Sequence, residues 1–199
     1  KLYIDPGTGS MLFAVLIGII GAVAYVFKEW AVKLKFLLTG GKKADTNAEK
    51  IPIVIFSDDK RYWSVFKPIC EEMNSRGIDV VYMTASKDDP AFDENLQHLD
   101  AQFIGEGNRA FSKLNFLNAT MLISTTPGLD VFQWKRSKNV DYYVHVLHAA
   151  SNTCGYHMFG IDYYDAVLIS GNHHERDIRA LEKIRNLPAK ELVMVGVPY

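Results

Sequence analysis

The sequence predicts an α/β fold: a Rossmann-like doubly wound parallel sheet preceded by one transmembrane helix. Seven short β-branched or apolar runs recur through residues 52–197, helical patterns separate several of them, and a charge-free apolar stretch occupies the N-terminal end. Nearly continuous apolar strands belong to sheets covered on both faces, and strands alternating with helices pair in parallel.

Residues 11–27 contain no charged side chain, and Thr8, Gly9 and Ser10 extend the run without adding one. A span of about 20 apolar residues crosses a hydrocarbon core of about 30 Å, which places a transmembrane helix over residues 9–28. Lys28, Lys33, Lys35, Lys42 and Lys43 follow it, whereas Lys1 and Asp5 cancel before it. The positive-inside rule then puts the C-terminal part in the cytoplasm, in a single-pass protein of the cell membrane. Ala22-Val23-Ala24 has the form of a signal-peptidase site, but the basic cluster follows the apolar run and hydrophobic residues continue beyond it, as in an anchor. Trp30 and the lysines after it suit a basic amphipathic extension to residue 38, lying on anionic lipid. Ala14, Gly18 and Ala22 also give one helix face small enough for another helix to approach. The lipid bilayer is thus the first expected partner. Residues 39–51, beginning Thr39-Gly40-Gly41, have no apolar periodicity and read as a linker to a domain over 52–199.

Within that domain the expected strands are residues 52–57, 79–84, 102–105, 120–124, 142–147, 166–170 and 192–197. Val65, Ile69 and Met73 form the stripe of a first helix that Gly77 terminates, with Pro68 requiring either a nearby start or a kink. A second helix is expected over residues 109–118. A third begins at Asn172 as N-cap with Glu175 in the capping-box position, buries Ile178, Leu181 and Ile184, and stops at Pro188.

Composition excludes some functions. Residues 1–50 carry seven lysines and four acids, so the remaining 15 basic and 19 acidic residues leave the rest at −4. A folded part of that sign does not bind nucleic acid through a basic face. Cys70 and Cys154 are far apart and form no C-x-x-C, which argues against a disulfide framework. No G-x-S-x-G, P-loop or complete dinucleotide fingerprint occurs.

Ligands of open parallel sheets gather at the carboxyl ends of the strands, so the loops there supply the candidate site. These are Ser57-Asp58-Asp59, Gly105-Glu106-Gly107, Thr125-Thr126-Pro127-Gly128, the His148–Ser151 segment and Gly171-Asn172-His173. Ser57, Asp58, Glu106, Gly107, Thr125, Thr126 and Ser151 are accordingly the candidate substrate-binding residues. His148 is the catalytic candidate: it ends an apolar strand at the cleft mouth, where an imidazole can take a proton from a hydroxyl near neutral pH. A hydrogen-bonded structural histidine is the competing reading of that position. His145, three residues earlier, belongs on the opposite face and reads as structural. Strand spacing separates His145 from His148, His173 and His174 are expected to point apart, and no metal site is predicted.

The run Asp141-Tyr142-Tyr143-Val144-His145-Val146-Leu147-His148, then Tyr164-Asp165-Ala166-Val167-Leu168-Ile169-Ser170-Gly171, then Leu192-Val193-Met194-Val195-Gly196-Val197-Pro198, resembles the CDP-glycerol glycerophosphotransferases, the teichoic-acid polymerase family. The resemblance covers about residues 52–199 and implies the N-terminal, acceptor-side half of a GT-B architecture. By position, His148 matches the family's proposed general base, and Gly196-Val197-Pro198 matches the Gly-x-Pro leading into the second domain. It implies an enzyme transferring glycerol phosphate from CDP-glycerol to a hydroxyl of a lipid-linked or polyol-phosphate acceptor, with no cofactor beyond that donor. It also implies a C-terminal nucleotide-binding domain as partner, because the sequence reaches Tyr199 where that domain begins. The family continues its histidine with Gly-Thr-Pro; here Ala149-Ala150-Ser151-Asn152 follows, so acceptor recognition differs. The other readings of the same residues are a non-catalytic membrane-anchored binding or regulatory domain and a sugar-nucleotide glycosyltransferase.

Overall fold

Seven strands form one sheet in a computed structural model that describes residues 50–149, 151, 153 and 156–196. The expected transmembrane span, its basic extension and residues 39–49 of the expected linker lie outside the described residues, as do Cys154 and Pro198. Among the described residues no helix is long and apolar enough to cross a membrane. The strands are β1 (Ile51–Ser57), β2 (Val80–Thr84), β3 (Leu99–Phe103), β4 (Asn118–Ser124), β5 (Asn139–Val146), β6 (Ala166–Ile169) and β7 (Glu191–Met194). Their order is β3-β2-β1-β4-β5-β6-β7, and every neighbouring pair is parallel. The chain moves outward from β1 to β3, then returns to the other side of β1. The direction of winding therefore reverses between β1 and β4, the place where such sheets open a cleft.

Alternation along β1 fills both faces: Val54 and Phe56 enter one core, Ile53 and Ile55 the other. Helix α1 (Trp63–Ser75) covers the second face with Trp63, Val65, Phe66 and Cys70. Helices α2 (Asn108–Leu114) and α3 (Asn172–Arg185) cover the first, α2 through Ala110 and Leu114 and α3 through Ile178 against Val167 and Ile169. The connections from β4 to β5 and from β5 to β6 contain no α-helix among the described residues. Trp134 fills the gap in the first of them, buried with its ring 5.4 Å from Phe56, 5.9 Å from Phe111 and 6.3 Å from Tyr164.

Several expected boundaries move. The third strand begins at Leu99, before the apolar run that suggested it, because β3 is an edge strand: Leu99 and Ala101 pack inward while Asp100 and Gln102 are exposed. Ile51 belongs to β1 rather than to the linker. Pro68 neither starts nor ends α1; it sits on the exposed side, where the carbonyl its missing N–H leaves unpaired faces water. The 109–118 helix is shorter, and Asn118 already opens β4.

On α3, Gly171 in extended conformation is the N-cap and Asn172 the first helical residue, with no side-chain cap. The buried stripe is His174, Ile178 and Glu182, whereas Ile184 is 79 % exposed. Steps of three drift backwards by about 60° each, so Ile184 has rotated about 120° from Ile178. Glu182 takes the inward position because both its oxygens are used, by the Lys190 amide at 2.8 Å and the Arg179 guanidinium at 2.8 Å. Ile184→Ser is therefore expected to change stability by no more than about 0.5 kcal/mol. Ile178→Ala is expected to cost about 2–5 kcal/mol. Urea denaturation of the two variants checks both.

Candidate functional site

The carboxyl ends of β1, β4 and β5 bring Asp58, Thr126 and His148 to one rim, across the point where the winding reverses. His148 stands two residues beyond Val146, and alternation keeps it on the α1 side with Val144 and Val146. Its ring meets that of Tyr62 edge-on, with centroids 4.8 Å apart. Tyr62 closes a 3₁₀ turn (Lys60–Tyr62) that Asp59 starts by accepting from the Arg61 amide at 2.9 Å. A cavity of about 270 Å³ opens there, lined by Tyr62, Pro127, His148, Ser151, Tyr156 and His157 among others.

His148 is half-buried, and burial holds its imidazole below the ordinary histidine range, with the negative charge of Asp58 acting the other way. The ring is therefore neutral at pH 7, and with Nδ1 sealed and without a partner among the described residues, Nε2 is the nitrogen left to meet a substrate. Asp58 keeps an exposed flank, yet desolvation raises its carboxyl above the usual value. The Thr126 hydroxyl lies near enough to oppose that shift, but makes no hydrogen bond of ordinary geometry. Desolvation and the Asp58 charge also push the Tyr62 phenol up.

The threonines after β4 do not line the cavity. Both are buried, and their Oγ1 atoms are sealed and unpartnered. Their backbone is fixed instead: the Thr126 amide donates to Ser124 Oγ at 3.0 Å, and its carbonyl accepts from Tyr164 at 2.5 Å. Ser57 is also fully buried, and its hydroxyl donates to the Asp59 carbonyl at 2.8 Å. Ser151 lines the cavity, and its carbonyl accepts from His174 Nε2 at 2.6 Å. Glu106 and Gly107 stand apart, beyond the edge strand β3. Gly107, at φ 54°, is the N-cap of α2, and Glu106 is an exposed carboxylate 3.7 Å from Lys87.

His145 is wholly buried on the opposite face. Burial pushes its pKa down to about 3, with His148 adding to the effect once that ring is itself protonated, and its Nε2 is 3.1 Å from the Tyr156 hydroxyl. Unfolded, it titrates near about 6.5, so between those values the unfolded chain binds the extra proton and acid favours unfolding. Stability is thus present near neutrality and is lost as pH falls below about 6.5, by up to about 1.4 kcal/mol per pH unit. His145→Gln is expected to flatten that slope between about pH 6.5 and 5.5, read from urea titrations across the range.

His173 and His174 do not point apart: their rings lie 4.0 Å from each other. Helix packing buries His174, whose two nitrogens meet Ser170 and the Ser151 carbonyl. Since the carbonyl only accepts, Nε2 carries a proton and donates it there. Among the described residues no group of three or more His, Cys, Asp or Glu could hold a metal ion. Cys70 is buried, its thiol pushed up to about 12 by desolvation, so it is no nucleophile. Tyr62, Tyr156 and His157 are the site residues that sequence reasoning missed; Tyr62 follows the first rim loop by three residues, which was the available signal.

No family model, curated protein or solved structure matches the chain.

Proposed function

We propose that this domain is the acceptor-side half of a membrane-associated glycerophosphotransferase, using CDP-glycerol to extend a hydroxyl-terminated, lipid-linked or polyol-phosphate acceptor. The observation that carries the reading is the neutral, half-open imidazole of His148 facing a cavity at the switch point of a parallel sheet. The resemblance of the residues around His148 and Gly196 to the CDP-glycerol enzymes supplies the donor. Nε2 removes the proton of the acceptor hydroxyl as its oxygen attacks the glycerol-bearing phosphorus; the bond from that phosphorus to CMP breaks, and CMP leaves with the electron pair. Tyr62 and Tyr156 line the cavity with ring surface for the C–H side of a polyol, and Asp58, whose charge acts on both His148 and Tyr62, can accept from a second hydroxyl at the rim. Among the described residues the side chains lining the cavity include no lysine or arginine, so the donor's diphosphate needs the second domain that the resemblance implies.

The full-length protein, given CDP-glycerol and a glycerol-phosphate-primed lipid, is expected to release CMP in step with acceptor extension and to release nothing from UDP-sugars. UDP release from a sugar nucleotide, without CMP release, overturns the donor assignment. One observation favours the second reading, a non-catalytic binding domain. His148 Nδ1 has no acceptor to hold the proton there, and leaving a buried N–H unpaired costs about 1–3 kcal/mol. That penalty favours the tautomer in which Nε2 donates. Saturable polyol-phosphate binding with no turnover of any nucleotide donor would decide for the binder.

A further inference from the structure

We propose that the face of the domain formed by α2, α3 and the loops between them docks on an anionic lipid surface. The two connections without helices leave that layer built of turns, and the turns send large apolar side chains outward. Phe132 and Met158 are each 68 % exposed, Phe159 is 40 % exposed, and Ile184 at the end of α3 is 79 % exposed. Hydrogen bonds and contacts join these positions into one layer. Asn115, just past α2, donates to the Gln133 carbonyl at 3.0 Å and accepts from the Lys135 amide at 2.7 Å. The Gly128 amide donates to the Gly160 carbonyl at 2.7 Å. Arg185 of α3 pairs with Asp162 at 2.6 Å and lies 5.0 Å from the Phe159 ring.

Positive charge predominates in this layer: residues 108–116, 128–138, 156–163 and 172–186 hold nine Lys and Arg against five Asp and Glu. Lys113, Lys135, Lys138 and Lys183 are exposed, and none forms an ion pair among the described residues. On the α1 side the lysines are neutralised instead, Lys60 by Asp88 and Lys67 by Glu94. Apolar side chains on turns and a helix end, among unpaired lysines, suit shallow insertion among headgroups. A stable protein interface has a continuous apolar centre with depleted charge. The lysines select anionic lipid, each contributing roughly a fivefold gain in affinity near such a surface. The docking is independent of the transfer chemistry at His148.

Hydrogen exchange of the full chain, reconstituted in phosphatidylcholine vesicles with and without phosphatidylglycerol, tests this. Segments 128–136, 156–163 and 179–186 are expected to exchange more slowly only when phosphatidylglycerol is present, while segment 63–75 is unchanged. The triple variant Lys113→Glu, Lys135→Glu, Lys183→Glu is expected to lose that protection with an unaltered melting temperature. Identical exchange in the two vesicle types overturns the proposal. So does protection of the same segments that rises with protein concentration without vesicles, which would assign the face to a second copy of the chain.

Discussion

His148→Ala in the full-length protein is expected to lower CMP release about 10²- to 10⁴-fold while leaving the fold intact. The loss follows from the ring's position: Nε2 is the nitrogen available at the cavity, and among the described residues lining it only His157 offers another imidazole. Removing a half-buried ring beside Tyr62 opens space at the rim without touching either sheet core, so the melting temperature moves little. The pH profile carries a second signature. Burial depresses the pKa of His148, so the rate of the native protein is expected to stay flat above neutrality and to fall only below about pH 6.5. His157→Ala should preserve that acid limb, because His148 remains. Near-normal turnover by His148→Ala would remove it as the base.

Trp134→Ala is expected to cost about 3–5 kcal/mol. In a domain of this size each kcal/mol shifts the melting temperature by about 2–4 °C, giving a fall of roughly 6–20 °C by thermal denaturation. Trp134 replaces the helix that a β4–β5 connection ordinarily supplies, joining β1 through Phe56, α2 through Phe111 and the β5–β6 connection through Tyr164. Its truncation leaves a cavity bounded by elements that strand pairing holds in place, so collapse cannot refill it. Trp134→Phe should recover much of the loss. Its indole N–H has no hydrogen-bond partner among the described residues, so the difference reports ring volume. A shift of less than a few degrees for Trp134→Ala would show that the connection is not fastened at this residue.

The parallel sheet was legible because β1, β4 and β5 are buried on both sides and their central runs are nearly continuous apolar residues. β3 was misplaced because an edge strand needs only alternate residues to be apolar. The α3 stripe failed for a chemical reason: apolar spacing favoured Ile184, whereas the inward place went to Glu182, whose two oxygens find partners on Arg179 and Lys190. At the rim, His148 and Asp58 could be read from strand ends, since the loop after a parallel strand must lie there. Tyr156 could not, because it reaches the cavity through a long connection whose course is set by tertiary contacts, the His145 bond to its hydroxyl among them. The burial of Ser57, Thr125 and Thr126 was equally invisible: a polar residue in a rim loop reads as open until the side chains above it are placed.

β7 lies at the margin of the sheet, and Val193, Met194 and the following Val195 are exposed. Among the described residues no strand pairs with its outer side, and with its apolar side chains that edge is a template for further β-pairing. Produced apart from whatever covers it in the cell, residues 50–199 should therefore be prone to clump as concentration rises. Charge placed at Val193 or Val195, on a flank that supports neither core, is the natural remedy before any solution measurement.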